Sequence, residues 1–152
     1  MEHDLVNVLK TIELFHSLSE PQLTRIAAIS RREAYDEGAM IIRQHTPGDC
    51  LYVISAGQVV IGRVDGGNVF HAVLYLGEGQ VFGEVALLDQ GARSASVAAD
   101  QNETIVHAID RDEFLQLCHE DSALGFVVMK NLATDLAFKL RHSNAGKDAA
   151  GD

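Results

Sequence analysis

The pattern of hydrophobic and polar positions changes its period twice along the chain. Apolar residues recur at three- and four-residue spacing over residues 5–12, which predicts one buried face of a helix. A second helix is predicted to begin at Ser19, because this N-cap residue is followed by Gln22 at capping-box spacing. Residues 1–30 are therefore expected to form an amino-terminal helical segment.

Short runs rich in valine and isoleucine fill the middle of the chain, separated by glycine or acidic turns. This pattern is typical of an all-β sandwich or barrel. The Asp-Gly-Gly-Asn sequence at 65–68 predicts a hairpin, because glycine takes a positive φ at little cost. The predicted strands are 40–43, 51–54, 58–64, 69–76, 96–99 and 104–109.

The last third of the chain returns to helical spacing. Asp110 and Glu113 form a start signal for one helix, and a longer helix with one apolar face is expected over about 123–142. The small, polar residues after Ser143 are expected to fray. The predicted fold is mainly β with flanking helices, divided into a helical segment at 1–30, a β body at 31–110, carboxyl-terminal helices at 111–143 and a flexible tail at 144–152.

Composition narrows the classes of protein that fit. The chain has 152 residues, 47% hydrophobic and 22% charged, which suits one domain with a sizeable core. Its net charge of −10 repels phosphate backbones, so direct nucleic-acid binding is not expected. Cys50 and Cys118 are too few for a disulfide framework and are expected to be small hydrophobes in a reducing compartment. With no apolar run of 18 residues and no signal-peptide pattern, we expect a cytosolic protein without a membrane span.

Residues 82–97 depart from ordinary strand patterning and carry the candidate chemistry. Gly83 precedes a short helix-compatible run, so a ligand could approach the backbone closely, and free N–H groups over 84–87 could bind an anion. Arg93 offers a planar fork of donors suited to a phosphate. Glu84, an acceptor-only carboxylate when ionised, suits a sugar hydroxyl. Together these groups would hold a sugar phosphate.

This segment resembles the phosphate-binding cassette of the cyclic nucleotide-binding domain family, which usually reads F-G-E-x-A-L, five variable residues, then R-x-A-T/S. The likeness extends to the glycine-punctuated strand pair at 47–57 and covers about 12–142. It implies a double-stranded β-helix, a jelly-roll-like β-roll, with amino-terminal helices and a carboxyl-terminal lid helix, as in catabolite activators and protein kinase A regulatory subunits. The matching residues are Phe82, Gly83, Glu84, Ala86, Leu87, Arg93, Ala95 and Ser96.

The resemblance also implies a role for each matching position. Arg93 would pair with the exocyclic oxygens of a cyclic phosphate, Glu84 would accept the ribose 2′-hydroxyl, and backbone amides of the cassette would cradle phosphate and ribose. The implied nucleotide-binding residues are Gly83, Glu84, Ala86, Leu87, Arg93, Ser94 and Ala95. The side chains implied to line the base pocket are those of Ile61, Val73 and Leu74.

Plainer interpretations stand beside these roles. Arg93 could be a structural ion-pair partner of Glu84 or Asp89, and Glu84 could be a simple charge at a helix start. The Ser94 side chain either faces solvent or contacts the phosphate or a syn purine. The sequence therefore does not decide whether cAMP or cGMP is the preferred ligand. The glycines expected to serve turns without a ligand role are Gly48, Gly57, Gly77 and Gly79.

The carboxyl-terminal helix is the implied moving part. In relatives, closure of the cassette lets this helix swing over the base as a lid, although the same apolar face could simply pack on the barrel. The residues expected on that face include Met129, Leu132 and Leu136. In activator-type relatives, polar residues of this helix contact the base. Here the corresponding positions hold Asp135, Lys139 and Leu140, so the sequence does not identify the residue that would cap the base.

Three functional hypotheses follow from the sequence. The first is a non-enzymatic sensor that binds cAMP, with cGMP as the second candidate, and acts on an unidentified effector protein. The second is an amino-terminal fragment of a catabolite-activator-type transcription regulator, since no helix-turn-helix would fit after Ser143, or a domain that no longer responds to nucleotide. The third, a metal-dependent barrel enzyme, is disfavoured because the histidines lack metal-ligand spacing, so no metal or cofactor is expected. A homodimer through the last helix fits its apolar seam.

Overall fold

The computed structural model describes residues 2–89, 91, 93 and 95–150, with side chains described over 4–89, 91, 93 and 95–143. The helices are α1 (Glu2–Leu9), α2 (Glu20–Ala28), α3 (Arg111–Glu120) and α4 (Ser122–Ala150). The strands are β1 (Ser30–Tyr35), β2 (Met40–Ile42), β3 (Cys50–Ala56), β4 (Gln58–Val64), β5 (Phe70–Gly77), β6 (Val81–Phe82), β7 (Ser96–Ala99) and β8 (Thr104–Asp110). Two 3₁₀ turns span Glu13–Phe15 and Glu84–Leu87; the second is called the cassette turn below.

The strands form two antiparallel four-stranded sheets that share one interior. Their orders are β1-β8-β3-β6 and β2-β7-β4-β5. Ile54 and Val106 of the first sheet and Val59 of the second are fully buried in the same apolar cluster, so the sheets pack face to face. The predicted mainly β fold with flanking helices is therefore confirmed.

The central strand β3 is buried on both faces, which places it between two cores. Its side chains alternate across the sheet. Tyr52 and Ile54 point into the space between the sheets, whereas Leu51 and Val53 join the helical core formed by α1 to α4. The run of apolar residues in β3 therefore reflects burial on two sides, and it ties the helices rigidly to the roll.

Helix starts agree with the sequence signals. The Ser19 hydroxyl accepts from the Gln22 N–H, the Gln22 side chain accepts from the Ser19 N–H at 2.8 Å, and the capping box predicted there is confirmed. Asp110 caps α3 by accepting from the Glu113 N–H at 3.0 Å. Helix α4 is longer than the predicted 123–142, since its backbone continues to Ala150. The stretch mixes the helix formers Ala145 and Lys147 with the weak formers Asn144 and Gly146, so local propensity alone does not explain the extension.

Helix α4 is fixed to the amino-terminal part of the chain near its middle. The Asn131 side-chain amide donates to the carbonyl oxygens of Leu14 at 3.0 Å and His16 at 2.9 Å. Leu132 beside it is buried in the helical core. These two hydrogen bonds, called the Asn131 clamp below, satisfy the Leu14 and His16 carbonyls and fix the position of α4 against the roll.

The sequence analysis did not predict strands β1 and β6. Strand β1 is polar and lies at a sheet edge, where it pairs with β8 alone. The polar groups along one face of β1 pair with one another: the Arg31 Nε donates to Glu33 at 3.1 Å, and the Tyr35 hydroxyl donates to Glu33 at 2.7 Å. Strand β6 has only two residues, Val81 and Phe82, which is too short for a periodic signal. The other strands lie within two residues of their predicted bounds.

The remaining sequence expectations concern the hairpin, the cysteines and membrane spans. The hairpin at 65–68 is confirmed; Asp65 accepts from the N–H groups of Gly67 at 2.8 Å and Val69 at 3.0 Å, and these bonds close its turn. Cys50 and Cys118 are both free, and burial raises the pKa of each thiol. Within the described residues, none of the helices combines the length and apolar character needed to cross a bilayer.

His107 on β8 gives the fold a pH dependence that can be measured. Burial, reinforced by the charge of Arg32 on the neighbouring strand, lowers its pKa below the ordinary 6.5. The unfolded chain therefore takes up this proton first, and the free energy of unfolding should fall as pH drops through 6.5, by at most about 1.4 kcal/mol per pH unit. His107→Gln should remove this part of the pH dependence in urea titrations between pH 5 and 8. The exposed-site variant His119→Gln should keep it, because His107 is still present; an unchanged profile in His107→Gln would contradict the assignment.

Candidate functional site

A cavity of about 310 Å³ lies between the cassette turn and the second sheet. This volume is at the lower end of the range typical of small-molecule sites. The wall made by the strands is apolar and consists of Ile42, Ile61, Leu74, Leu76, Val81, Phe82 and Val97. The opposite side carries the backbone and the charged groups, at Gly48, Gly83, Glu84, Val85, Ala86, Asp89, Gly91, Arg93, Ala95 and Lys139.

The Arg93 guanidinium is anchored to main-chain oxygens at the polar side of this cavity. Its Nη2 donates to the Cys50 carbonyl at 2.8 Å and its Nη1 to the Gly83 carbonyl at 3.4 Å. Among the described residues Arg93 forms no ion pair with Glu84 or Asp89, so the plainer ion-pair interpretation finds no support. The guanidinium has five N–H donors. Two carbonyls therefore fix its orientation and leave donors for an anion in the cavity.

Two glycines make room for that guanidinium. A Cβ at Gly83, where φ is +78°, would lie 2.8 Å from the Cys50 carbonyl oxygen and 2.9 Å from Arg93 Nη1. A Cβ at Gly48 would lie 3.1 Å from Arg93 Cζ. Gly48, expected to serve a turn without a ligand role, therefore also lines the cavity beside Arg93, and its lack of a ligand role stays a prediction. The sequence placed it 45 positions before Arg93, and only the fold shows that the two residues touch.

Glu84 begins the cassette turn and faces a cation from α4. Its side chain is only 18% exposed, and its Oε1 lies 3.7 Å from Lys139 Nζ. The same ammonium lies 2.9 Å from Asp135, one helical turn earlier on α4. Asp135 raises the pKa of Lys139 against the opposing effect of burial, and Glu84 adds to the increase. Lys139 is therefore a charged cavity residue at physiological pH.

Most of the predicted site residues meet in this cavity. Gly83, Glu84, Ala86, Arg93 and Ala95 all line it, as do the predicted base-pocket residues Ile61 and Leu74. The Ala86 N–H donates to the Gly83 carbonyl at 3.1 Å and so closes the cassette turn. Ser94 lies outside the described residues.

Two predicted site residues lie elsewhere. Leu87 is buried in the helical core and does not line the cavity, because the cassette turn directs this side chain toward β3 and α3. Val73 is 68% exposed and also misses the cavity. The pairing of β4 with β5 shifts between Ile61 and Gly62, so Val73 is the extra residue of a bulge, while Leu74 beside it is half exposed and lines the cavity.

The family model of the cyclic nucleotide-binding domain matches residues 32–121. The chain therefore belongs to the cyclic nucleotide-binding domain family, and the resemblance found in the cassette is confirmed. The match includes the whole of the roll from β2 to β8 and the cassette with its glycine, glutamate and arginine.

Two relatives illustrate the range of the family. The chain is 32% identical over 140 residues to the cyclic AMP receptor protein of Thermus thermophilus, covering 92% of this chain and 62% of that protein. It is 35% identical over 114 residues to the cGMP-dependent protein kinase egl-4 of Caenorhabditis elegans, covering 74% of this chain and 15% of the kinase. The chain thus spans less than two thirds of these relatives' lengths.

Solved structures agree with the fold. The crystal structure of the Thermus thermophilus catabolite activator protein superposes with a TM-score of 0.79 at 32% identity, covering 91% of this chain and 63% of that one. The regulatory domain of Toxoplasma gondii protein kinase A, crystallised with cAMP, superposes with a TM-score of 0.68 at 27% identity, covering 76% and 44%. The β-roll predicted from the resemblance is confirmed.

Gly48→Ala should disturb the guanidinium without unfolding the protein. The new methyl group would press on Arg93 Cζ from 3.1 Å, and a flexible side chain can retreat from it. We expect cyclic nucleotide to bind about three- to tenfold more weakly, a part of the roughly 1.5–3 kcal/mol that a charged hydrogen bond is worth. Isothermal titration calorimetry measures this. Gly66→Ala is the matched control, because a Cβ there meets nothing within 4 Å; equal affinities in both variants would contradict the close packing at Gly48.

Proposed function

We propose that this chain is a non-enzymatic sensor that binds a cyclic purine nucleotide, with cAMP as the first candidate and cGMP as the second. The observation that carries the proposal is the Arg93 guanidinium, held by the carbonyls of Cys50 and Gly83 at the polar side of a cavity whose other wall is apolar. A cyclic nucleotide combines the two matching properties, an anionic phosphodiester and a flat purine. A charged donor fork fixed in advance is the arrangement that favours phosphate binding.

The ribose and the base would occupy the rest of the cavity. Glu84, largely shielded from solvent, supplies an acceptor for the ribose 2′-hydroxyl. Ile61, Leu74 and Val97 offer apolar contact to a purine face. A relative that matches 92% of this chain is a cyclic AMP receptor, which favours cAMP, while kinases dependent on cGMP match 72–74% of it. A direct titration with both nucleotides is therefore the decisive first measurement.

Binding without turnover fits the chemistry of the cavity. Hydrolysis of a cyclic phosphodiester needs a group that activates water. The described cavity residues include no histidine, and no cluster of three metal-ligating side chains occurs in the described part of the chain.

The proposed output is a shift of α4 that a partner protein detects. A ligand changes a conformational equilibrium only by its difference in affinity for the two states. Lys139 connects α4 to the cavity, so events at Glu84 can reach this helix. Large apolar side chains of α4 face solvent at Phe126, Phe138 and Leu140, with exposed fractions of 68%, 57% and 64%. Such residues would suit an effector protein or a second copy of the chain.

A second candidate is the same domain acting within a longer transcription regulator. It is favoured by the match to the cyclic AMP receptor protein, of which this chain spans 62%. In that case nucleotide binding would be unchanged, and the partner would be a DNA-binding segment. Mass spectrometry of the protein from its native cells distinguishes the two candidates by the length of the chain.

Arg93→Ala should weaken cAMP binding by about tenfold to a hundredfold or more, because the phosphate loses its charged partner. Arg93→Lys should recover only part of the affinity, since a lysine keeps the charge and loses the fork. Calorimetry measures both, and thermal melts show whether the variants fold. Arg63→Ala, which removes an exposed arginine of β4 outside the cavity, should bind as the wild type does. Full affinity in Arg93→Ala would overturn the proposed site.

Glu84→Gln should act through the ribose alone. The variant should bind cAMP less tightly than the wild type but lose less than Arg93→Ala, because a neutral amide replaces the charged acceptor. For 2′-deoxy-cAMP the two proteins should have the same affinity, since the hydroxyl that Glu84 would accept is missing. A comparable loss for both nucleotides, measured by calorimetry, would contradict the ribose role.

A further inference from the structure

Lys139 joins the carboxyl-terminal helix to the polar side of the cavity. Its ammonium lies between two carboxylates, 2.9 Å from Asp135 on its own helix and 3.7 Å from Glu84 across the cavity. The separation from Glu84 exceeds hydrogen-bonding distance, so the attraction is between charges. The spacing of four residues puts Asp135 and Lys139 on one face of α4, and Asp135 thereby keeps the ammonium beside the cavity.

The partner that Lys139 faces is the group that the proposed function assigns to the ribose. Glu84 is 18% exposed while the Lys139 side chain is 59% exposed. A shielded carboxylate therefore obtains its charged neighbour from a flexible side chain that water can readily solvate. A nucleotide placing its 2′-hydroxyl on Glu84 would enter the region where this ammonium now acts.

We propose that Lys139 is an internal competitor for Glu84, and that it thereby sets both the affinity for cyclic nucleotide and the preference for ribose over 2′-deoxyribose. The proposal deepens the proposed function and rests on it. In the ligand-free protein the ammonium stabilises the Glu84 carboxylate. Nucleotide binding exchanges that interaction for a hydroxyl donor, and Lys139 is left to Asp135 and solvent.

The same exchange releases a segment of α4. Among the described residues of this helix, Leu136 is the last that packs against the helical core. Phe138 and Leu140 after it are largely exposed. The ion pair from Lys139 to Glu84 is thus an electrostatic contact between this segment and the cassette, and its loss on nucleotide binding would free the segment to move.

The size of the effect follows from the exposure of the pair. Ion pairs with one solvent-exposed partner contribute little, and their measured range corresponds to about two- to fivefold in affinity. The contribution should shrink in high salt, because screening weakens the attraction between the charges. Lys139 therefore adjusts nucleotide binding and does not block it.

The test is a calorimetric comparison of wild type, Lys139→Gln and Lys130→Gln, each titrated with cAMP, cGMP and 2′-deoxy-cAMP at low ionic strength. Lys139→Gln should bind cAMP about two- to fivefold more tightly and bind 2′-deoxy-cAMP as the wild type does. Lys130→Gln is the matched control, since it removes a lysine of α4 that lies outside the cavity. In a Glu84→Gln background, Lys139→Gln should have no further effect, because the contested carboxylate is gone.

The other possible outcomes distinguish a failure of this inference from a failure of the proposed function on which it rests. Weaker or equal cAMP binding in Lys139→Gln would overturn the competition while leaving the sensor intact, and weaker binding would assign Lys139 to the ligand. An equal gain for cAMP and 2′-deoxy-cAMP would also overturn it, because the lysine would then act independently of Glu84. If wild type and all variants bind neither cAMP nor cGMP, the proposed function fails and the inference falls with it.

Discussion

The site depends on one interaction, the fixing of the Arg93 guanidinium by two main-chain oxygens. An arginine side chain in water samples many rotamers, and ordering it on binding would cost free energy. Here the carbonyls of Cys50 and Gly83 hold the fork in place before any ligand arrives. The positive φ of Gly83 turns that carbonyl toward the arginine while leaving space where a Cβ would collide. The phosphate would thus meet a preorganised cation.

That arrangement requires a rigid support, and β3 provides it. Cys50, whose carbonyl holds Arg93, begins the strand whose side chains fill both cores. Close packing on two sides resists displacement, because interiors respond to small changes in volume. The backbone oxygen that orients the arginine is therefore positioned by the interiors of the roll and of the helical layer at once. Lys139, which extends from α4 to the same polar side of the cavity, has a largely exposed side chain and lacks such support.

Local signals made much of the fold and part of the site predictable. The capping residue Ser19, the turn at 65–68 and the valine-rich strands act over a few residues, so the sequence specifies them directly. Glu84 and Arg93 could be recognised because the cassette is a continuous segment with fixed spacing. These signals describe neighbours along the chain and contain no information about which distant segments meet.

Features created by tertiary contacts could not be predicted in the same way. Gly48 looked like a turn glycine until the fold brought it against Arg93. Leu87 and Val73 were assigned to the site by the resemblance, yet the direction of a 3₁₀ turn and a strand bulge send them elsewhere. Strand β1 has a polar sequence without apolar alternation, and only the fold shows that it pairs with β8. Lys139 approaches Glu84 because of the path that α4 takes across the molecule. The spacing of residues along the sequence does not predict that path.

The Asn131 clamp gives α4 the mechanics of a lever. Its two bonds to the carbonyls of Leu14 and His16, together with Leu136 packed on the helical core, hold the near part of the helix, and helix backbone continues beyond Leu136 to Ala150. At 1.5 Å per residue the arm beyond Leu136 is about 21 Å long, so a tilt of roughly 10° there would displace its far end by about 4 Å. A rearrangement of atomic size beside Glu84 would in this way become a movement as large as a side chain, at a distance where another protein could sense it.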